Sequence, residues 1–165
     1  MADEFTYRIA TLAEVTEMRD AQVAESGNDP DLIQWRTEFI EGNRHNRMRT
    51  YVILCNGVRI GSGTILLAPE CRAVGGRHSL ADGKMTANVN SLGVDKTYQG
   101  QGHMSRLVKL MEDDVRAEGF TTATIGVEIT NGKNLGIYLH WGYTTYVTRE
   151  DSENGFVVYF AKSLV

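Results

Sequence analysis

The sequence predicts a mixed α/β domain in which an antiparallel meander runs into a parallel βαβ unit, in the order β-α-α-β-β-β-α-β-α-β-β. Three observations predict it. Short stretches with alternating or continuous apolar character are interleaved with stretches whose apolar residues recur every three or four positions. Asn56-Gly57, a favoured two-residue hairpin turn, joins two strand-like segments and makes them antiparallel. Further on, a strand runs into a Gly-rich turn, a helix and another strand, which is the sequence form of a parallel crossover.

The elements follow in order. Residues 5–10 (FTYRIA) alternate as a first strand. Thr11 and Glu14 form a capping box for a first helix carrying Val15 and Met18. Ser26 to Pro30 is a break and restart, with Asp29 as cap and Pro30 at the first helical position. Leu32, Trp35, Phe39 and Ile40 form one face of this second helix, which Gly42-Asn43 is expected to stop. Strands are predicted at 50–56 and 59–68, then a long loop from Pro69 to Lys84, then a strand at 86–94. After the turn at 99–102, Met104, Leu107, Val108, Met111 and Val115 place a helical stripe that Gly119 ends. A strand at 121–127 leads to Asn131 as cap of a short helix through His140, with Gly142 behind it. Strands at 143–148 and 156–162 complete the order.

The 165 residues suit a single domain over 1–165 with a core of its own. Lys and Arg number 17 against 21 Asp and Glu, a net charge of −4 that speaks against a nucleic-acid groove. No apolar run is long enough for a membrane span, and the acidic amino terminus does not read as a secretory signal. Two cysteines, Cys55 and Cys71, make no disulfide framework, so a cytoplasmic protein is expected. Cys71 lies in a loop with His78, but nothing in the sequence fixes the geometry a nucleophile would need. The four histidines are scattered without ligand spacing, so no metal is expected.

The stretch richest in chemistry is Leu92-Gly93-Val94 followed by Gln99-Gly100-Gln101-Gly102-His103-Met104-Ser105 at a helix start. A helix N-terminus offers unpaired amides and a positive dipole end, and glycines let an anion approach without a Cβ in the way. Such a turn suits a phosphate or pyrophosphate. It is no P-loop, since no Lys-Ser/Thr follows, and the G-x-G-x-x-G dinucleotide pattern is absent.

Gln99 to Met104 resembles the acyl-CoA loop of the GCN5-related N-acetyltransferases (GNAT), written Q/R-x-x-G-x-G/A. Asn131 to Tyr138, with Trp141-Gly142-Tyr143, is similar to the same family's N-x-x-A-x-x-L-Y segment. Met104, Asn134 and Ile137 depart from the family's usual small or Leu residues. The resemblance implies a GNAT-like sheet around an acyl-CoA-binding βαβ unit, with acetyl-CoA as co-substrate. Leu92, Gly93 and Val94 would meet the pantetheine arm, and the Val94 amide the thioester carbonyl. The amides from Gln99 to Ser105 would hold the pyrophosphate, Asn131 the pantetheine or the next helix, and Tyr138 would protonate the departing thiolate. The family's bulge in this strand would fall at Gly93.

The acetyltransferases that modify protein lysines carry a Glu on this strand; here Asn88 and Asn90 stand in the region, able at most to position a water. Glu128 is the nearest carboxylate in sequence and is the candidate base. His103 could touch a phosphate or face solvent. The basic run Arg44 to Arg49 reads as a solvated connector or as a contact to an anion. Family resemblance puts the acceptor at residues 22–36 and 69–85. Glu25, Asp29 and Trp35 in the first suit a cation, and Arg72 and Arg77 in the second an anion. The expected activity is acetyl transfer to a primary amine of a small molecule by direct attack in a ternary complex. The alternatives are a catalytically degenerate acyl-CoA sensor and a protein or peptide N-acetyltransferase. Relatives are often dimers, so a homodimer is admitted, with no interface signal in the sequence.

Overall fold

The computed structural model describes residues 1–165. Its elements are β1 (Phe5–Ile9), α1 (Leu12–Glu25), α2 (Pro30–Arg44), β2 (Met48–Cys55), β3 (Val58–Leu66) and β4 (Thr86–Val94). A single 3-10 turn (Lys96–Tyr98) precedes α3 (His103–Ala117), β5 (Thr122–Glu128), α4 (Gly132–His140), β6 (Thr145–Ser152) and β7 (Gly155–Ser163). The strands form one sheet in the order β1-β2-β3-β4-β5-β7-β6, and only β4 and β5 run parallel.

Alternation along the strands sends successive side chains to opposite faces and builds two cores. Ile65 packs with Leu107, Met111 and Val115 of α3 on one face, while its neighbour Leu66 packs with Val15 of α1 and Phe39 of α2 on the other. Asn56 and Gly57 both adopt positive φ (51° and 82°), the backbone that a tight hairpin between two right-twisted strands needs. The long connection from Leu67 to Met85 contains no regular element, yet Cys71, Val74, Leu80 and Ala81 bury their side chains in the second core.

Two local expectations are corrected. Gly42 does not stop α2; it is buried inside the helix, where a Cβ would lie 2.6 Å from the end of Met48. The helix runs to Arg44, and the chain turns at Asn46 with φ 56°. The irregularity in β4 is not at Gly93, which pairs regularly with Ser62. Ser62 opposes Gly93 and Thr64 opposes Asn90, so Ser91 and Leu92 together face the single residue Gly63. Ser91 carries the left-handed backbone (φ 52°) of this bulge. A Cβ on Gly63 would meet Leu92 Cδ2 at 2.8 Å, so the partner glycine makes room for the bulged strand.

The start of α1 carries a pH-dependent contribution. Glu14 accepts from the Thr11 amide and from both terminal nitrogens of Arg8, at 2.7 and 3.0 Å. These donors, Arg8 first, lower its carboxyl from an ordinary 4.5 to about 2. A lowered folded-state pKa adds stability that is complete above 4.5 and is lost as pH falls toward 2. Glu14→Gln is therefore expected to lower the melting temperature at neutral pH. The gap to the wild type should close between those two pH values, as followed by circular dichroism, and a constant gap would refute the ionic origin.

Candidate active site

The parallel pairing of β4 with β5 covers only Thr86–Val89 against Thr122–Ile125. Beyond it the strands part, and β4 continues from Asn90 to Val94 with β3 alone, leaving its other edge open. Asp95 donates to the Ile60 carbonyl at 2.7 Å, so the antiparallel alternation turns the N–H and C=O of Val94 away from β3 toward that open edge. The Val94 carbonyl accepts from Gln99 Nε2 at 3.0 Å, which folds the Gln99 side chain back onto β4.

A cleft of about 430 Å³ begins at this edge, between β4, the turn before α3, and α4. Leu92, Gly93 and Val94 form one wall and Ile137, Tyr138 and Trp141 another. At its end stands the first turn of α3. Gly100 and Gly102 have φ of 76° and 84°, and a Cβ at either would meet nothing within 4 Å. The Gln99 amide is taken by the Lys96 carbonyl at 3.3 Å, but the amides of Gly100 through Ser105 donate to no protein acceptor. Gly102 caps the helix without any side-chain hydrogen bond. Six successive free amides at a helix N-terminus form a cradle of the size and charge that a diphosphate requires.

Other residues singled out in the sequence have different places. The His103 ring does not face solvent. It is buried against Phe5 at 4.4 Å between centroids, with Nδ1 2.6 Å from the Tyr7 hydroxyl. Gln101 donates through its amide nitrogen to Thr97 O, which turns Oε1 toward His103 Nε2 at 3.3 Å. The ring thus ties α3 to β1 through Tyr7 and Phe5. Asn131 caps α4 by accepting from the Asn134 amide at 3.1 Å and does not line the cleft. The Glu128 carboxylate accepts from Ser152 Oγ at 2.8 Å and lines neither this cleft nor the cavity described next.

A second cavity of about 190 Å³ opens on the α1/α2 side of the sheet, over Gly126 and Tyr159. The two spaces share Leu92 and Tyr138 and no other lining residue. The Tyr138 hydroxyl has no protein partner, and burial raises its pKa above the ordinary tyrosine value. The segments at 22–36 and 69–85 line neither space. They pack onto each other instead, with the Arg72 guanidinium 4.7 Å from the Trp35 ring centre and the Arg72 amide donating to Glu38 at 2.7 Å. The cation expected at Trp35 is thus one of the chain's own. No group of three or more His, Cys, Asp or Glu side chains is placed to hold a metal ion, and no helix is long and apolar enough to cross a membrane.

A cleft between parting parallel strands that ends on free amides at a helix start is a space suited to an extended ligand with an anionic end. The chain belongs to the acetyltransferase (GNAT) family, whose model matches residues 12–143, and it is an acetyl-CoA-dependent N-acetyltransferase. A GNAT-family protein of Desulfovibrio desulfuricans superposes with a TM-score of 0.73 at 12% identity, covering 98% of this chain and 100% of that one. The Salmonella typhimurium protein yncA, solved with acetyl-CoA, gives 0.69 at 16% identity over 98% and 95%. RimL, an alpha-N-protein acetyltransferase of ribosomal L7/L12 solved with coenzyme A, gives 0.66 at 15% over 96% and 93%. No curated protein matches the sequence.

Gly102 is one of two positions in the turn with left-handed backbone. Gly102→Val places a β-branched residue at φ 84° beside the free amides. Coenzyme A affinity measured by calorimetry is expected to fall at least ~10-fold, with about 1–2 kcal/mol lost from stability. Unchanged affinity in the folded variant would put the diphosphate elsewhere.

Proposed function

We propose that the protein transfers the acetyl group of acetyl-CoA to a primary amine of a small molecule by direct attack in a ternary complex. The observation that carries this reading is the pair of cavities on opposite faces of the sheet, which meet at Leu92 and Tyr138. The second is too small for a folded partner and of a size for a short amine-bearing arm. Acetyl-CoA supplies the activated acyl group, and the amides of Gly100 to Ser105 hold its diphosphate in this reading. The outward Val94 amide then lies along the path to the thioester, where a donor to the developing oxyanion is worth ~3–4 kcal/mol. Tyr138, protonated and without a partner, gives its proton to the departing thiolate.

An ammonium acceptor must lose a proton before it attacks. Glu128 is held by Ser152, so this role is better assigned to a water at Asn90, which lines the second cavity. The reading is tested by acetyl-CoA-dependent thiol release against amines, amino acids, polyamines, aminoglycosides and peptides, with products identified by mass. Release with a small amine is expected. Release with peptides alone would establish a protein acceptor, and silence with every small amine would overturn the small-molecule reading.

A further inference from the structure

The wall of the second cavity is built by an unusual contact. A Cβ on Gly126 would lie 2.6 Å from Cε1 and 3.0 Å from Cδ1 of Tyr159, its cross-strand partner, so the tyrosine ring lies flat across β5 only because residue 126 has no side chain. The ring is fixed there. Its hydroxyl donates to Glu150 Oε1 at 2.6 Å, and Arg77 donates to Glu150 Oε2 at 3.0 Å while its guanidinium stands 5.0 Å from the ring centre. Arg77 is itself anchored, donating to the carbonyls of Val74 and Ala73. Burial and the Glu150 carboxylate push the Tyr159 hydroxyl up to about 12, so it remains a neutral donor.

Arg77 and Glu150 therefore satisfy one another, whereas Glu128, two residues beyond Gly126 on the same strand and opposite Val157, has only the neutral Ser152 hydroxyl as a partner. Among the lining residues the polar groups are Asn90, Ser91 and two tyrosine hydroxyls, and none is ionised. Asn90 and Ser91 are hydrogen-bonded to each other at 2.9 Å. The remaining lining side chains include the aliphatic Val89, Ile125 and Val157, and the polar surface between them is uncharged. A carboxylate carried into such a space would lose its water, gain no counter-ion and stand near Glu128 and Glu150, both opposite Val157.

On the small-amine reading above, we propose that Tyr159, seated on Gly126, determines acceptor specificity by making the second cavity a slot for an unbranched stem that bears a primary amine and no carboxylate. The ring sets the width, and the closed Arg77–Glu150–Tyr159 group leaves no free cation at this wall to recruit an anionic group on the acceptor.

The test uses amines of one stem length, n-butylamine and 4-aminobutyrate, with benzylamine as the broad probe. In the wild-type enzyme kcat/KM for n-butylamine is expected to exceed that for 4-aminobutyrate at least ~10-fold. Tyr159→Leu opens the slot, and the benzylamine to n-butylamine ratio of kcat/KM should rise about 10-fold. A merely structural tyrosine would lower both amines in parallel and leave the ratio unchanged. Gly126→Ala, which must displace the ring, provides the second variant: KM for n-butylamine should rise while KM for acetyl-CoA stays constant. Equal or better use of 4-aminobutyrate by the wild type, or an unchanged ratio in Tyr159→Leu, overturns the specificity role and leaves the small-amine reading standing. Thiol release from none of the amines, with peptides accepted, overturns both.

Discussion

Tyr138→Phe is expected to lower turnover about 100-fold while acetyl-CoA affinity stays within about twofold. The separation follows from where the side chain sits. Its ring packs at 5.4 Å from the Trp141 ring and against the core beneath α3, contacts that phenylalanine keeps. Only the hydroxyl is lost, and that group has no protein partner to leave stranded. Burial raises its pKa above the ordinary 10.0, so the wild-type hydroxyl keeps its proton through neutral pH and is a donor to a thiolate, whose own pKa is ~8.5. The same shift fixes the sign of the pH dependence. Deprotonation of Tyr138 removes the acid only above 10.0, so no loss of activity from this group is expected between pH 7 and that value. The check is steady-state thiol release together with calorimetric binding on the same preparation. Equal turnover by the variant would remove Tyr138 as the acid.

Much of the frame that places Tyr138 was legible because it is written locally. The Thr11–Glu14 capping box, the Asp29-Pro30 restart, the Asn56-Gly57 hairpin and the strand–glycine–helix crossover each need only neighbouring residues, and each is present in the structure. The eleven main elements consequently follow the expected order. What local sequence does not carry is which distant strand lies beside which. The wall of the second cavity depends on Arg77 meeting Glu150 and Tyr159, contacts 73 and 82 residues apart in the chain. Trp35 is likewise taken by Arg72 rather than left for a ligand. The bulge in β4 shows a subtler limit. Gly93 is the residue freest to turn, yet Ser91 takes the left-handed backbone because the register against Gly63 fixes where the extra residue falls. His103 is similar: its position at the helix start was visible, but its side chain is claimed by Phe5 and Tyr7 from the first strand.

Lys162→Met is expected to have the largest effect on stability, because it leaves a buried carboxylate without its counter-charge. Glu112 of α3 is 4% exposed, and Lys162 of β7 reaches both its oxygens, at 2.9 and 3.2 Å. The fully buried Tyr143 donates to Glu112 Oε2 at 2.7 Å, and this carboxylate, after burial itself, raises the pKa of the tyrosine far above its ordinary value. Breaking a buried pair by removing one partner costs 3–5 kcal/mol in general, and because the Lys162 side chain is 26% exposed the lower end applies, about 3 kcal/mol. For a chain of this length that is a fall of about 6–12 °C in melting temperature. Replacing the whole group by apolar side chains is a different perturbation. Glu112→Leu with Lys162→Met still strands the Tyr143 hydroxyl, at about 1–3 kcal/mol, and adding Tyr143→Phe removes that cost as well. The triple variant should therefore melt within a few degrees of the wild type, whereas Lys162→Met alone should not; equal stability of the single variant would show that water reaches Glu112 unaided. The location of the group gives the result functional weight. It ties α3, whose first turn carries the free amides, to β7, which carries Tyr159, through Tyr143, three residues after the helix of Tyr138. The ionic brace thus joins elements that contribute to both cavities. Lys162→Met should accordingly raise KM for acetyl-CoA and for the amine together, with the triple variant restoring both.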